Sequence, residues 1–254
     1  MQRRQCARQA KVSRPSVARL SPHLSPHLSH PNLCALLTRD AFPTLAGSGS
    51  WDRTIKLWDS RAATACVGTY AQPDKVYSLC AGARRAADAA TMPPLVLVAT
   101  AGRHLNVLDL RSNAEPMQQR ESALKSQTRC VAMMPSQKGY AVGSIEGRAA
   151  VEFLDVSAEA QAQRYAFKCH RIAVGGEETA HPVNALAFHP AHGTFASGGG
   201  DGLVNVWDGV NKKRICQYKR YPASIGALDF SPDGNAIAIA ASSTLEGADA
   251  KEEP

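Results

Sequence analysis

The stretch Gly198-Gly199-Gly200-Asp201-Gly202-Leu203-Val204-Asn205-Val206-Trp207-Asp208 decides the fold. Small residues come first, then an Asp-Gly pair suited to a tight turn, then a β-prone run closing on Trp-Asp. A second stretch has the same order: Gly49-Ser50-Trp51-Asp52-Arg53-Thr54-Ile55-Lys56-Leu57-Trp58-Asp59. Asp52 and Asp201 thus stand in the turn before a strand, where a carboxylate can accept backbone and side-chain hydrogen bonds. Trp58, Asp59, Trp207 and Asp208 close that strand. Ile55, Leu57 and Leu203 are expected to alternate with polar positions, as in half-buried strands. The glycines at 47–49 and 198–202 read as turn residues. Neither group supplies the third glycine of a dinucleotide loop or the Lys-Ser/Thr of a phosphate loop.

Working outward, the strand-closing pair of an apolar residue and Asp recurs. It appears as Trp58-Asp59, Leu108-Asp109, Leu154-Asp155 and Trp207-Asp208, at spacings of 50, 46 and 53 residues. Opening strands recur too: Val183-Asn184-Ala185-Leu186-Ala187-Phe188 resembles Ile225-Gly226-Ala227-Leu228-Asp229-Phe230. Short β-rich runs repeating at about 40–50 residues are the signature of WD-repeat blades. The expected fold class is therefore all-β, an incomplete WD-repeat β-propeller. About three nearly complete units are expected (74–111, 126–156 and 181–208), with half units at 45–59 and 223–241. Two blade edges would then stand unpaired, which invites aggregation.

Composition divides the chain. The formal charge is +7, and the basic excess lies in residues 1–40, which hold Arg3, Arg4, Arg8, Lys11, Arg14, Arg19 and Arg39 against Asp40. The remainder is nearly neutral, so no generic nucleic-acid patch is indicated. Residues 1–45 read as a disordered basic leader containing Pro, Ser and His. Its Arg/Ser content also fits an organelle transit peptide, but prolines interrupt any amphipathic helix. Residues 46–241 read as the partial propeller and 242–254 as a disordered acidic tail. No apolar run reaches the roughly 18 residues of a membrane helix.

The seven cysteines form no CxxC pair and read as small buried hydrophobes. His23, His27 and His30 lie in a Pro/Ser tract and carry no specific metal signal. No metal site or cofactor is expected. No nucleophile elbow, His-Glu-x-x-His or paired-carboxylate pattern is visible, so the chain is not expected to be an enzyme. A Ser/His/Asp arrangement assembled in space stays open. His181, just before an opening strand, is expected to hydrogen-bond in the Ser197 and Trp207 region. A basic group, Arg129, Arg148, Lys168, His170 and Arg171, falls at strand starts of what read as consecutive units. Its arginines suit carboxylates and phosphates.

Several segments lie outside the generic Trp-Asp signature. They include Gln72-Pro73-Asp74-Lys75-Val76-Tyr77, Gln119-Arg120-Glu121-Ser122, Gln127-Thr128-Arg129-Cys130 and Ser144-Ile145-Glu146-Gly147-Arg148. Tyr165 to Arg171, Asn211-Lys212-Lys213-Arg214 and Arg220-Tyr221-Pro222 complete the set. Together they resemble the mitotic spindle-checkpoint WD-repeat family of the "budding uninhibited by benzimidazole" set. The related WD-repeat mRNA-export factors share part of them. The resemblance implies a propeller of about seven blades, of which the first two and part of the third are expected to be missing. It implies a non-catalytic scaffold in nucleus and kinetochore, with a cytoplasmic pool. The implied partners are checkpoint kinases, through a short helical motif, and phosphothreonine repeats of a kinetochore scaffold. No direct nucleic-acid or membrane partner is implied. Carried to matching positions, the partner-binding residues are Arg129, Arg148, Lys168 and Arg171. The alternative is an export factor binding a nucleoporin motif.

Overall fold

The computed structural model describes residues 34–37, 45–59, 61–82, 92–112, 116–174 and 176–242. Nearly all of the leader, the His23/His27/His30 tract, most of the Ala-rich turn at 84–94 and the tail from 243 lie outside them. The described chain is a succession of antiparallel sheets. The first holds β1 (Cys34–Leu37), β2 (Leu45–Gly49), β3 (Thr54–Asp59) and β4 (Cys66–Ala71). The second holds β5 (Val76–Ala81), β6 (Leu95–Thr100), β7 (His104–Asp109) and β8 (Gln118–Glu121). The third holds β9 (Thr128–Met133), β10 (Gly139–Ser144), β11 (Arg148–Phe153) and β12 (Tyr165–Lys168), with helix α1 (Ala158–Ala162) between its last two strands. A hairpin of β13 (Arg171–Val174) and β14 (Glu177–Ala180) follows. The fourth sheet holds β15 (Val183–Phe188), β16 (Thr194–Gly199), β17 (Val204–Asp208) and β18 (Lys213–Gln217). A two-stranded sheet of β19 (Ile225–Phe230) and β20 (Ile237–Ala241) ends the series.

The opening strands β1, β5, β9, β15 and β19 pack in succession, and among the described residues the arc does not close into a ring. Four sheets are thus complete where three whole units were expected. The difference lies in the last strands of each sheet. Cys66–Ala71, Gln118–Glu121 and Tyr165–Lys168 alternate between half-buried and exposed, and Lys213–Gln217 is mostly exposed. Such strands carry no apolar run to reveal them. β1 also lies inside the range assigned to the leader, so the first sheet begins upstream of residue 46.

In β3, Ile55 and Leu57 are buried beside half-buried Thr54 and Lys56, as expected, whereas the second strands of the inner sheets are filled further. Leu95–Thr100 and Gly139–Ser144 are buried at every position. Alternation persists, but between two cores. Leu95, Leu97 and Ala99 pack towards the third sheet with Val131, Tyr140 and Val142, while Val96 and Val98 pack towards the first with Ile55. Tyr140 and Ala141 divide likewise between the second and fourth sheets. Each inner sheet is filled from both faces, as stacked blades require. In the fourth sheet Val204 is fully buried and Leu203 only half-buried, a shift of one position from the sequence reading.

The glycines also differ from expectation. Gly47 and Gly49 are residues of β2, and Gly198 and Gly199 of β16, not of turns. Their smallness serves packing. A Cβ on Gly49 would stand 2.6 Å from Val76 Cγ1, and one on Gly143 would stand 2.8 Å from Val183 Cγ1. Gly198 faces Ile225 in the same way. In each case the first residue of the next opening strand nests against the glycine.

Candidate functional site

The Trp-Asp residues build the frame. Trp58 Nε1 donates to Ser48 Oγ at 2.7 Å, and Trp207 Nε1 donates to Ser197 Oγ at 2.9 Å. Each tryptophan thereby ties the third strand of its sheet to the second. The following aspartates anchor the next turn. Asp59 Oδ1 accepts the Arg61 N–H at 2.9 Å, and Asp208 Oδ1 accepts those of Val210 and Asn211 at 3.0 and 2.9 Å. The Asp59 carboxyl is held below its usual range by the Arg61 hydrogen bond, and Asp208 by Asn211. In the earlier turn, Asp52 Oδ1 accepts the backbone N–H and the hydroxyl of Thr54 at 2.9 and 2.7 Å. Trp51 does not share the frame role expected of it. It stands 46% exposed on that turn, edge-to-face with Tyr77 and with the Lys75 ammonium 5.7 Å from its ring centre.

The fourth sheet extends this frame into a buried relay. His170 Nδ1 lies 2.9 Å from Asp201 Oδ1, and its Nε2 lies 2.9 Å from Ser197 Oγ. With the proton on Nδ1, facing the carboxylate, Nε2 accepts the Ser197 hydroxyl. Ser197 in turn receives the Trp207 indole N–H, and Asp201 Oδ1 receives the Leu203 N–H at 3.0 Å. Burial pushes the Asp201 carboxyl up, but the hydrogen bonds from His170 and Leu203 more than offset it, leaving it below its ordinary value. The expectation placed this role on His181. The structure gives it to His170, because the β13–β14 hairpin intervenes between the histidine and its opening strand. His181 meets His170 only through its backbone N–H, at 2.9 Å from the carbonyl. His170 is fully buried and leaves the exposed cation group.

Ser197, His170 and Asp201 have the connectivity of an acyl-transfer triad. Ser197 and His170 are both 0% exposed, however, and the serine oxygen is already engaged by Trp207. A substrate carbonyl has no approach to it in this structure. The free thiols Cys80 and Cys169 are each pushed up to about 12 by burial, and burial also raises Cys130. They are protonated at neutral pH and poor nucleophiles. Among the described residues no group of three or more His, Cys, Asp or Glu is placed to hold a metal ion. No helix among them is long and apolar enough to cross a membrane.

The four candidate cations sit on one sheet and its hairpin rather than on consecutive units. Arg129 is in β9, Arg148 opens β11, Lys168 ends β12 and Arg171 opens β13. All stand at one end of the third sheet, because Thr128 pairs with Ser144 and Arg148 with Lys168. Three strand spacings, about 14 Å, separate β9 from β12. Lys168 Nζ donates to Glu178 at 2.9 and 3.0 Å, and Arg171 Nη1 donates to Glu178 Oε2 at 2.9 Å. Arg171 Nε also donates to the Glu146 carbonyl at 3.0 Å. The half-buried Arg148 guanidinium makes no hydrogen bond or ion pair among the described residues. Hydrogen bonds from Lys168 and Arg171 hold the Glu178 carboxyl below its usual range.

Sequence reasoning missed Glu178, whose contact depends on how the hairpin folds back. It also missed why Arg129 stands apart. Arg129 occupies a bulge in the β9–β10 register, between Thr128 and Cys130. The register shifts at the same place at Tyr77, Asn184 and Gly226 in the other sheets. Bulges re-aim side chains at functional rims. Aligning Val76-Tyr77, Thr128-Arg129, Val183-Asn184 and Ile225-Gly226 as repeats would have exposed this row of bulges.

These features define the class: the chain is a WD-repeat β-propeller protein. The family described as "WD domain, G-beta repeat" matches residues 24–59 and 168–208. The β-propeller domain of Cps50 (Swd1) from Myceliophteria thermophila shares the fold at TM-score 0.63 and 14% identity, covering 82% of this chain and 62% of that one. More particularly, the chain is similar to BUB3 mitotic checkpoint proteins. It is 52% identical over 211 residues to "Mitotic checkpoint protein BUB3.1" of Arabidopsis thaliana, covering 82% of this chain and 59% of that protein. It is 37% identical over 199 residues to "mRNA export factor GLE2" of Chaetomium thermophilum, covering 78% and 52%. The chain thus spans little more than half the length of these relatives.

Proposed function

We propose that the chain is a non-catalytic scaffold of the spindle assembly checkpoint, acting in the nucleus and at kinetochores with a cytoplasmic pool. Its partners are a short helical motif of checkpoint kinases and phosphorylated kinetochore repeats. The observation that carries this reading is the cationic end of the third sheet. Arg148, Lys168 and Arg171 gather there, with Arg129 on a bulge two to three strand spacings, about 10–14 Å, away. An acidic helix and a phosphoryl group both call for such forks and point charges. The buried Ser197–His170–Asp201 relay supports a role in folding rather than in chemistry.

The test is a pull-down of the full chain with a peptide of the kinase motif, run beside a nucleoporin-motif peptide. The kinase peptide should be retained, and Arg129→Glu or Lys168→Glu should reduce retention about ten-fold. A strong preference for the nucleoporin peptide would move the chain to the export role. Binding indifferent to both substitutions would remove these cations from the site. The export reading has the lower identity of the two relatives compared, 37% against 52%.

A further inference from the structure

Besides a shared apolar core, a side chain at each end of β15 ties the fourth sheet to the two-stranded sheet of β19 and β20. At one end Asn184 Nδ2 donates to the Ser224 hydroxyl and to the Ile225 carbonyl, both at 3.0 Å. At the other end His189, just past β15, reaches the turn between β19 and β20. Its Nε2 lies 3.0 Å from the Gly234 carbonyl. Its Nδ1 lies 3.1 Å from the backbone nitrogens of both Ala191 and His192, in its own turn. A carbonyl needs a donor, and two N–H groups need an acceptor. The contacts therefore fix one form of the ring, with the proton on Nε2, a bare Nδ1 and no net charge. The ring also stands edge-on to Phe230, 5.3 Å between centres, and a Cβ added to Gly234 would collide with it.

We propose that His189 is a proton-sensitive latch, which holds one end of the last sheet against the fourth when neutral and releases it when protonated. A second proton can sit only on Nδ1, where it faces the two N–H donors. Both bonds are then lost, and the ring leaves its place together with its contacts to Gly234 and Phe230. The Asn184 tie contains no titrating group, so the last sheet opens from the His189 end. Burial disfavours the charged ring, the Gly234 carbonyl partly offsets this, and a charge on His192, stacked at 4.5 Å between centres, opposes it again. The ring is thus held below its ordinary value of 6.5. The surrounding carboxylates are engaged elsewhere. Asp233 binds Ser231 and Asn235, and Asp208, beside Lys213, binds Val210 and Asn211. Asp229 lies between Leu228 and Phe230 and so faces away from the shared core. The strand β20 carries no charged residue. Because the folded value is the lower one, the tie is fully present above the ordinary value and is lost as pH falls through the folded one.

The test is amide hydrogen exchange of the full chain at about pH 7.5 and about pH 5.5, corrected for the intrinsic exchange rate and referred to β10. Protection of β19 and β20 should fall several-fold at the lower pH. The fall is at most about ten-fold, because an open imidazole titrates about one unit above that pH. His189→Asn keeps a side-chain acceptor for the two N–H groups but does not titrate. Its β19 and β20 should be less protected than in the unaltered chain, and equally so at both pH values. His192→Asn removes the stacked imidazole and should keep most of the pH dependence. Equal protection at the two pH values in the unaltered chain, or an undiminished loss in His189→Asn, would overturn the proposal. If His189→Asn leaves β19 and β20 unprotected throughout, nitrogen-15 NMR of the unaltered chain decides. A bare Nδ1 at about pH 7.5 and a midpoint below about 6.5 uphold the latch. A proton on Nδ1, or a midpoint at or above about 6.5, overturns it.

Discussion

The His170 imidazole is satisfied on both nitrogens inside a space with no water contact, between Asp201 and Ser197. Removing one member therefore costs more than the hydrogen bond it made. Asp201→Ala leaves the His170 Nδ1–H and the Leu203 N–H without their acceptor, and a buried unpaired donor costs about 1–3 kcal/mol. The expected destabilisation is about 2–4 kcal/mol, seen as a melting midpoint lower by several degrees. Asp201→Asn keeps an acceptor oxygen and should recover about half of that loss. A melting curve for Asp201→Ala that overlays the unaltered chain would show the relay to be idle. The equivalent tie in the first sheet, Trp58 to Ser48, has no histidine described beside it. Sequence alone set His181 beside Ser197 and Trp207 and left Asp201 to its turn, whereas His170 makes both contacts. The spacing from His to its opening strand is stretched by ten hairpin residues, and nothing in composition marks a hairpin that packs on no core.

At the scale of strands, what made an element legible was its share of the core. The second and third strands of each sheet carry apolar residues on both faces and end in a turn with fixed chemistry, so β6, β7, β10, β11, β16 and β17 were readable. The outer strands β8 and β18 were not. Their sequences, Gln118–Glu121 and Lys213–Gln217, are largely polar and are held by the ladder rather than by burial. The same logic assigns different costs to different glycines. Gly143 is fixed by its neighbours: an added Cβ would lie 2.7 Å from Cys130 Sγ and 2.8 Å from Val183 Cγ1. Gly143→Val should cost about 2–3 kcal/mol by forcing the third and fourth sheets apart. Gly176 has open space, and Gly176→Ala should cost only about 1 kcal/mol, from its positive φ. Chemical denaturation of the two variants checks the order. Equal losses would mean that the close approach at Gly143 relaxes freely.

Across the whole molecule, stability is a sum of sheets and of the ties between neighbours. The second and third sheets are joined densely. Arg120 of β8 donates to the carbonyls of Phe153 and Leu154 at 2.6 Å each. Glu152 accepts the Ala123 N–H at 3.1 Å and the Tyr140 hydroxyl at 3.2 Å. Twelve buried residues, from Leu95 to Leu154, fill the space between those sheets. The β13–β14 hairpin has exposed residues throughout β14, and its Glu178 side chain bonds Lys168 and Arg171. Opening free energies should follow this gradient. In amide hydrogen exchange, β6 and β10 should exchange last, through the largest opening the chain undergoes. β13 and β14 should exchange first, and β19 and β20 should lie between, held through Asn184 and Ile225 at 3.0 Å. If β13 and β14 were protected as strongly as β10, the hairpin would be an integral part of the third sheet. The exchange order therefore tests whether the hairpin is a unit separate from the sheets it lies between.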